Sequence, residues 1–188
     1  MLTYRITLIA VAAIVATGCA SGSKQSETTK NLPDWVTAPY VEDGLTDTQC
    51  VTANASMGML KNKATALGRA ELVKQIDVQV KAMDKTYQNL TEAEGGSTSG
   101  STFESVSKQV ATQKLSGSRA KKVEYVDFPG GQQLCVQVVL EPKLTKELYE
   151  EITGKSGRKL SAQSDEVLWQ QFMAHKAQQE MDAELNQR

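Results

Sequence analysis

A chain of 188 residues is long enough for one modest domain with tails, and its core must come from aliphatic side chains because aromatics make up only 5%. With 21 basic against 22 acidic side chains and a formal charge of −1, it carries no electrostatic footprint for nucleic acid, and that class of partner is excluded.

At the N-terminus Arg5 precedes an apolar run, residues 6–16, that is shorter than the roughly 20 residues of a membrane span. This is the charged start and apolar core of a secretory signal peptide. The run closes on Ala16-Thr17-Gly18-Cys19, small residues followed by a cysteine, which is the pattern of a lipobox. Cleavage after residue 18 makes Cys19 the first mature residue and the lipid acceptor. Each buried acyl methylene adds about 0.8 kcal/mol, and stable anchoring takes more than one chain. Ala20 stands where lipoproteins kept at the inner membrane usually carry Asp, so the expected destination is the outer membrane. Residues 19–32, rich in Ser, Thr, Lys and Gln without apolar periodicity, read as a flexible tether.

Folded structure is expected to begin at Pro33, with Trp35 pinning the start of the chain against the core. Residues 48–55 alternate, with Val51, Ala53 and Ala55 on one face and Cys50, Thr52 and Asn54 on the other, which predicts a strand. Over residues 61–89 the period lengthens. Ala66, Ala70, Val73, Ile76, Val80, Met83 and Tyr87 fall three or four apart and predict a helix whose thin first turns, at Ala66 and Ala70, approach the inner face of that strand. Residues 94–102 form a Gly/Ser/Thr loop, and Phe103, Val106, Val110 and Leu115 mark a second helix ending near Gly117. Residues 123–128 and 133–141 are β-rich and flank Pro129-Gly130-Gly131, the composition of a hairpin. In the later strand Leu134, Val136, Val138 and Leu140 share one face and Cys135, Gln137 and Val139 the other. Pro142 opens a helix with Leu144, Leu148 and Ile152 as its apolar row and Gly154 as its stop.

The expected fold is therefore α+β: a small three-stranded antiparallel sheet with helices in the order β-α-α-β-β-α, followed by a C-terminal helical tail. Residues 1–18 are the signal peptide, 19–32 the tether, 33–153 the domain, 154–164 a polar linker, and 165–188 an amphipathic helix. Trp169, Phe172, Met173, Ala177, Met181 and Leu185 give that helix an imperfect apolar stripe, which either folds back on the domain or is exposed and packs against a partner; in the second case Trp169, Phe172 and Met173 are the candidate partner-binding residues.

The pattern offers no catalytic set, metal site or cofactor motif. His175 is the single histidine and has no Cys or carboxylate cluster at ligand spacing. Gly154-Lys155-Ser156 resembles the end of a phosphate-binding loop, but Tyr149 occupies the required upstream glycine position and a helix, not a strand, precedes it. Cys50 and Cys135, each placed on the outer face of its strand, are expected to form a disulfide in an oxidising compartment.

The lipobox, the Pro33-Asp34-Trp35 opening, the Ala-rich helix through Arg69-Ala70-Glu71-Leu72, the Ser/Gly loop and the closing strand resemble the twenty-kilodalton bacterial outer-membrane lipoprotein family (LPP-twenty). That resemblance implies an outer-membrane lipoprotein; with the lipobox and the absent catalytic set, the expectation is a non-enzymatic protein, lipid-anchored and facing the periplasm. Relatives of this kind include flagellum-associated lipoproteins that build rings around the basal body and are needed for motility. The implied partners are the membrane, further copies of the chain, and other envelope or flagellar proteins. The competing expectation is a periplasmic module that binds peptidoglycan or a small envelope ligand, recognisable by a concave site with convergent polar groups.

Overall fold

A computed structural model describes residues 32–93 and 101–185, with side chains to Ala174. The signal peptide, Cys19, the tether through Asn31, residues 94–100 of the expected loop, and the side chains of His175, Ala177, Met181 and Leu185 lie outside the described residues. The elements are α1 (Asp34–Thr37), β1 (Leu45–Thr52), α2 (Met57–Ala93), α3 (Phe103–Leu115), β2 (Arg119–Phe128), β3 (Gly131–Leu140), α4 (Pro142–Ser156) and α5 (Ala162–Leu185). Apart from the single turn α1, this is the expected order and class.

The three strands form an antiparallel sheet in the order β1-β3-β2, so the most apolar strand lies at the centre. Phe128 and Gly131 close the β2–β3 hairpin around a two-residue Pro129-Gly130 turn. On one face Leu134, Val136, Val138 and Leu140 meet Leu45 and Val51 from β1, and the helices cover them. β1 begins three residues earlier than the alternation suggested, at Leu45. Polar Asp47 and Gln49 sit between Leu45 and Val51 on the same face and hide the period.

α2 is 37 residues long and packs across β1, β3, α3 and α5. Its buried row begins Leu60, Ala64, Gly68, Leu72, Ile76, whereas Ala66 and Ala70 face solvent. The close approach to the sheet is real, but Gly68 makes it. A Cβ on Gly68 would stand 2.6 Å from Val138 Cγ2. Alanines on a helix are equally compatible with its thin buried side and its solvent side, so composition alone misplaced the row by a fraction of a turn. From Ile76 onward the expected residues Val80, Met83 and Tyr87 are buried.

α4 runs through Gly154 and ends at Ser156, where Gly157 takes the left-handed conformation (φ 67°) that closes the helix. The expected linker is therefore occupied partly by helix. Beyond it α5 lies against α2, and Leu168 and Phe172 belong to the same buried core as the sheet residues.

The outer face of the sheet is covered as well. Cys135, Gln137 and Val139 point away from the helices yet are buried, and α1 packs against β1 and β3. Trp35 is held there by Thr48, whose hydroxyl donates to the Trp35 carbonyl at 2.7 Å, and by the Lys122 ammonium 5.6 Å from its ring. Trp35 anchors the chain as expected, on the face opposite the helices.

Candidate functional site

Cys50 and Cys135 are directly opposed in the β1–β3 register and joined by a disulfide, with Cα atoms 4.0 Å apart. Such an approach suits a non-hydrogen-bonded antiparallel pair, where side chains stand closest. Both cysteines lie on the expected outer face. Cys135 is fully buried and Cys50 half-buried, so the bond is largely shielded from solvent. Its sequence separation of 85 makes it a tie between the start of the domain and its central strand.

Trp169, Phe172 and Met173 do not form a free surface. Phe172 is 0% exposed and in the core, and Trp169 and Met173 pack against it. Tyr149 on α4 receives them: its ring centroid is 5.2 Å from Trp169 and 5.8 Å from Phe172, and its hydroxyl donates to the Asp165 carbonyl and carboxylate at 2.8 and 2.7 Å. Burial, reinforced by the Asp165 carboxylate, pushes the Tyr149 phenol well above its usual range, so it remains a neutral donor. Lys146 caps the group, 4.4 Å from the Trp169 centroid. The tail helix thus completes the core. An apolar cluster after a polar stretch looks the same in sequence whether it meets a partner or its own domain.

The most heavily buried charge was not legible as such. Arg158, 9% exposed, lies in the segment expected to be a linker, and its Nη1 meets Asp84 Oδ1 at 2.7 Å. Its guanidinium lies 4.4 Å from both the Tyr87 and the Phe103 centroids, in the corner formed by the two edge-to-face rings. Asp84 also accepts the backbone N–H groups of Phe103 (2.9 Å) and Glu104 (3.0 Å), the exposed donors of the first turn of α3. One carboxylate therefore joins α2, the start of α3 and the turn between α4 and α5. The available signal was Asp84 itself, an acid on an otherwise apolar helical row between Val80, Met83 and Tyr87, which demands a cation. Nothing in Gly157-Arg158-Lys159 said which cation would answer.

Elsewhere the ionic contacts lie at the surface, some between helices and some within one. Lys114 reaches Glu147 and Glu151 at 3.1 and 3.4 Å, and Lys155 reaches Glu151 at 2.6 Å, which draws the Glu151 carboxyl below its usual range. Lys155 is thereby a helix-surface partner, and Gly154-Lys155-Ser156 is helical rather than a phosphate loop. A depression on α3 is lined by Ser105, Lys108, Gln109, Thr112 and Gln113, all from that one helix. Among the described residues no group of three or more His, Cys, Asp or Glu side chains could hold a metal ion, and no helix is long and apolar enough to cross a membrane. Compared with protein-family models, curated proteins and solved structures, the chain matches none.

Proposed function

We propose that this protein is a non-enzymatic lipoprotein of the outer membrane, anchored through Cys19 with its domain in the periplasm. Its role is structural or one of assembly in the cell envelope, and the resemblance makes the ring around the flagellar basal body, which motility requires, the complex to test first. One observation carries the anchored, extracytoplasmic part of this reading, and the flagellar part rests on the family resemblance. A lipobox precedes a domain whose two remaining cysteines are bonded to each other, and structural disulfides belong to oxidising compartments outside the cytosol. The titratable groups that the fold buries also favour a structural role. Asp84, Arg158 and Tyr149 are each engaged by neighbouring elements, and the α3 depression lacks the convergent polar groups from several elements that a binding module uses.

The test has two arms. Cys19→Ser should abolish palmitate incorporation and leave the precursor uncleaved, and unchanged labelling would sink the anchor. A deletion strain should lose swimming and show basal bodies without the ring by electron cryotomography. Normal motility with intact rings would refute the flagellar role and leave the anchor standing.

A further inference from the structure

The sheet order leaves one long side of β2 without a strand partner among the described residues. Which backbone groups lie there follows from the ladder. Ala53 N–H donates to Gln132 O at 3.1 Å, which sets the phase of the β1–β3 hydrogen bonds, and Cys50–Cys135, three residues along, is then a non-hydrogen-bonded pair, as its 4.0 Å Cα spacing requires. Cys135 therefore turns its N–H and C=O toward β2, where Glu124 is its partner. Val123 and Tyr125, on either side of Glu124, turn theirs away from the sheet. Lys121, Lys122, Glu124 and Tyr125 are exposed along this edge.

We propose that the β2 edge pairs antiparallel with the same edge of a second copy, about a two-fold axis at Val123. The charges select that register. Centred on Val123, Lys122 of each copy faces Glu124 of the other, and Val123 meets its own equivalent through two outward-facing peptide groups. A centre at Glu124 would oppose two carboxylates. A centre at Tyr125 would set Lys122 against Phe128 and Glu124 against Val126, with no charge pair. The bulge between Ala120 and Lys122 ends the paired stretch on its N-terminal side. Adjacent lysines and a bulge guard an edge against indiscriminate pairing, and a register that answers Lys122 with Glu124 is the one that passes the guard. The stretch is short, so pairing is weak in free solution. If the chain is anchored as proposed, confinement to the membrane raises the effective concentration.

Sedimentation of the mature chain carrying Cys19→Ser, up to millimolar concentration, tests the pairing without the membrane. A monomer–dimer equilibrium is expected. Lys122→Glu or Glu124→Lys alone should weaken it about tenfold, and the two together should restore it to within about threefold. Val123→Pro, which removes an N–H directed away from β3, should abolish it while circular dichroism stays native. A monomer at every concentration, a dimer indifferent to the single reversals, or a double reversal without rescue would each overturn the proposal. None of these outcomes touches the acylation of Cys19, so the two readings fail separately.

Discussion

Asp84 receives Arg158 and the first two backbone donors of α3 within 3.0 Å, and that convergence makes it the costliest single position to disturb. A buried pair broken from one side leaves a charge without its partner, at about 3–5 kcal/mol. Arg158→Met is expected to destabilise by about 3 kcal/mol in urea denaturation, and adding Asp84→Asn should recover part of the loss by removing the stranded charge. A second residue gives a pH signature. Burial raises the Asp47 carboxyl above its ordinary 3.8, with Gln49 opposing and Glu71 adding to the rise. An acid whose folded pKa is raised binds its proton more tightly when native, so its contribution is present below 3.8 and is lost as pH rises through the folded value. Asp47→Asn should therefore gain on the parent as pH rises from 3 toward 7, measured by denaturation at each pH. Glu151, whose pKa is lowered by Lys155, acts with the opposite sign and loses its contribution as pH falls. A constant gap between parent and variant would refute the Asp47 assignment.

At the scale of elements, the decisive contact is α5 on α2 and α4. Leu168 and Phe172 are both 0% exposed, and fully burying each contributes about 1.5–3 kcal/mol. A chain ending at Lys159 keeps Arg158 but loses both, and its melting temperature should fall by about 10 °C at 2–4 °C per kcal/mol. A melt within a degree or two of the intact chain would mean that α5 is an appendage after all. The approach of α2 to the sheet rests on Gly68 in the same way. The Cβ of an alanine there would overlap Val138, so the gain in helix propensity is offset by overpacking.

For the whole molecule, the disulfide is the widest constraint, because the loop it closes contains α2, α3 and β2. In the chain-entropy model a loop of that 85-residue separation is worth about 4.5 kcal/mol. Cys50→Ser with Cys135→Ser should lose about that much in guanidinium denaturation, with the Cys135 position, fully buried, adding the cost of a hydroxyl without a partner. Equal stability of the oxidised parent and the double variant would show that the strand ladder alone supplies the constraint.

The residues by themselves determined the elements that local physics controls: the period-two run of β3, the Pro129-Gly130 turn, the start of α4 at Pro142, the apolar row of α2 beyond Ile76, and the pairing of the two domain cysteines. In each case the pattern repeats within a few residues and a single physical reason governs it. What only the tertiary structure decided depends on groups far apart in the chain. Whether Ala66 or Gly68 faces the sheet is set by Val138, and whether Arg158 is solvated or buried is set by Asp84, Tyr87 and Phe103. Whether Trp169 and Phe172 meet a partner or their own domain is set by Tyr149. Long-range burial is a property of the neighbours a residue acquires, and no local period encodes them.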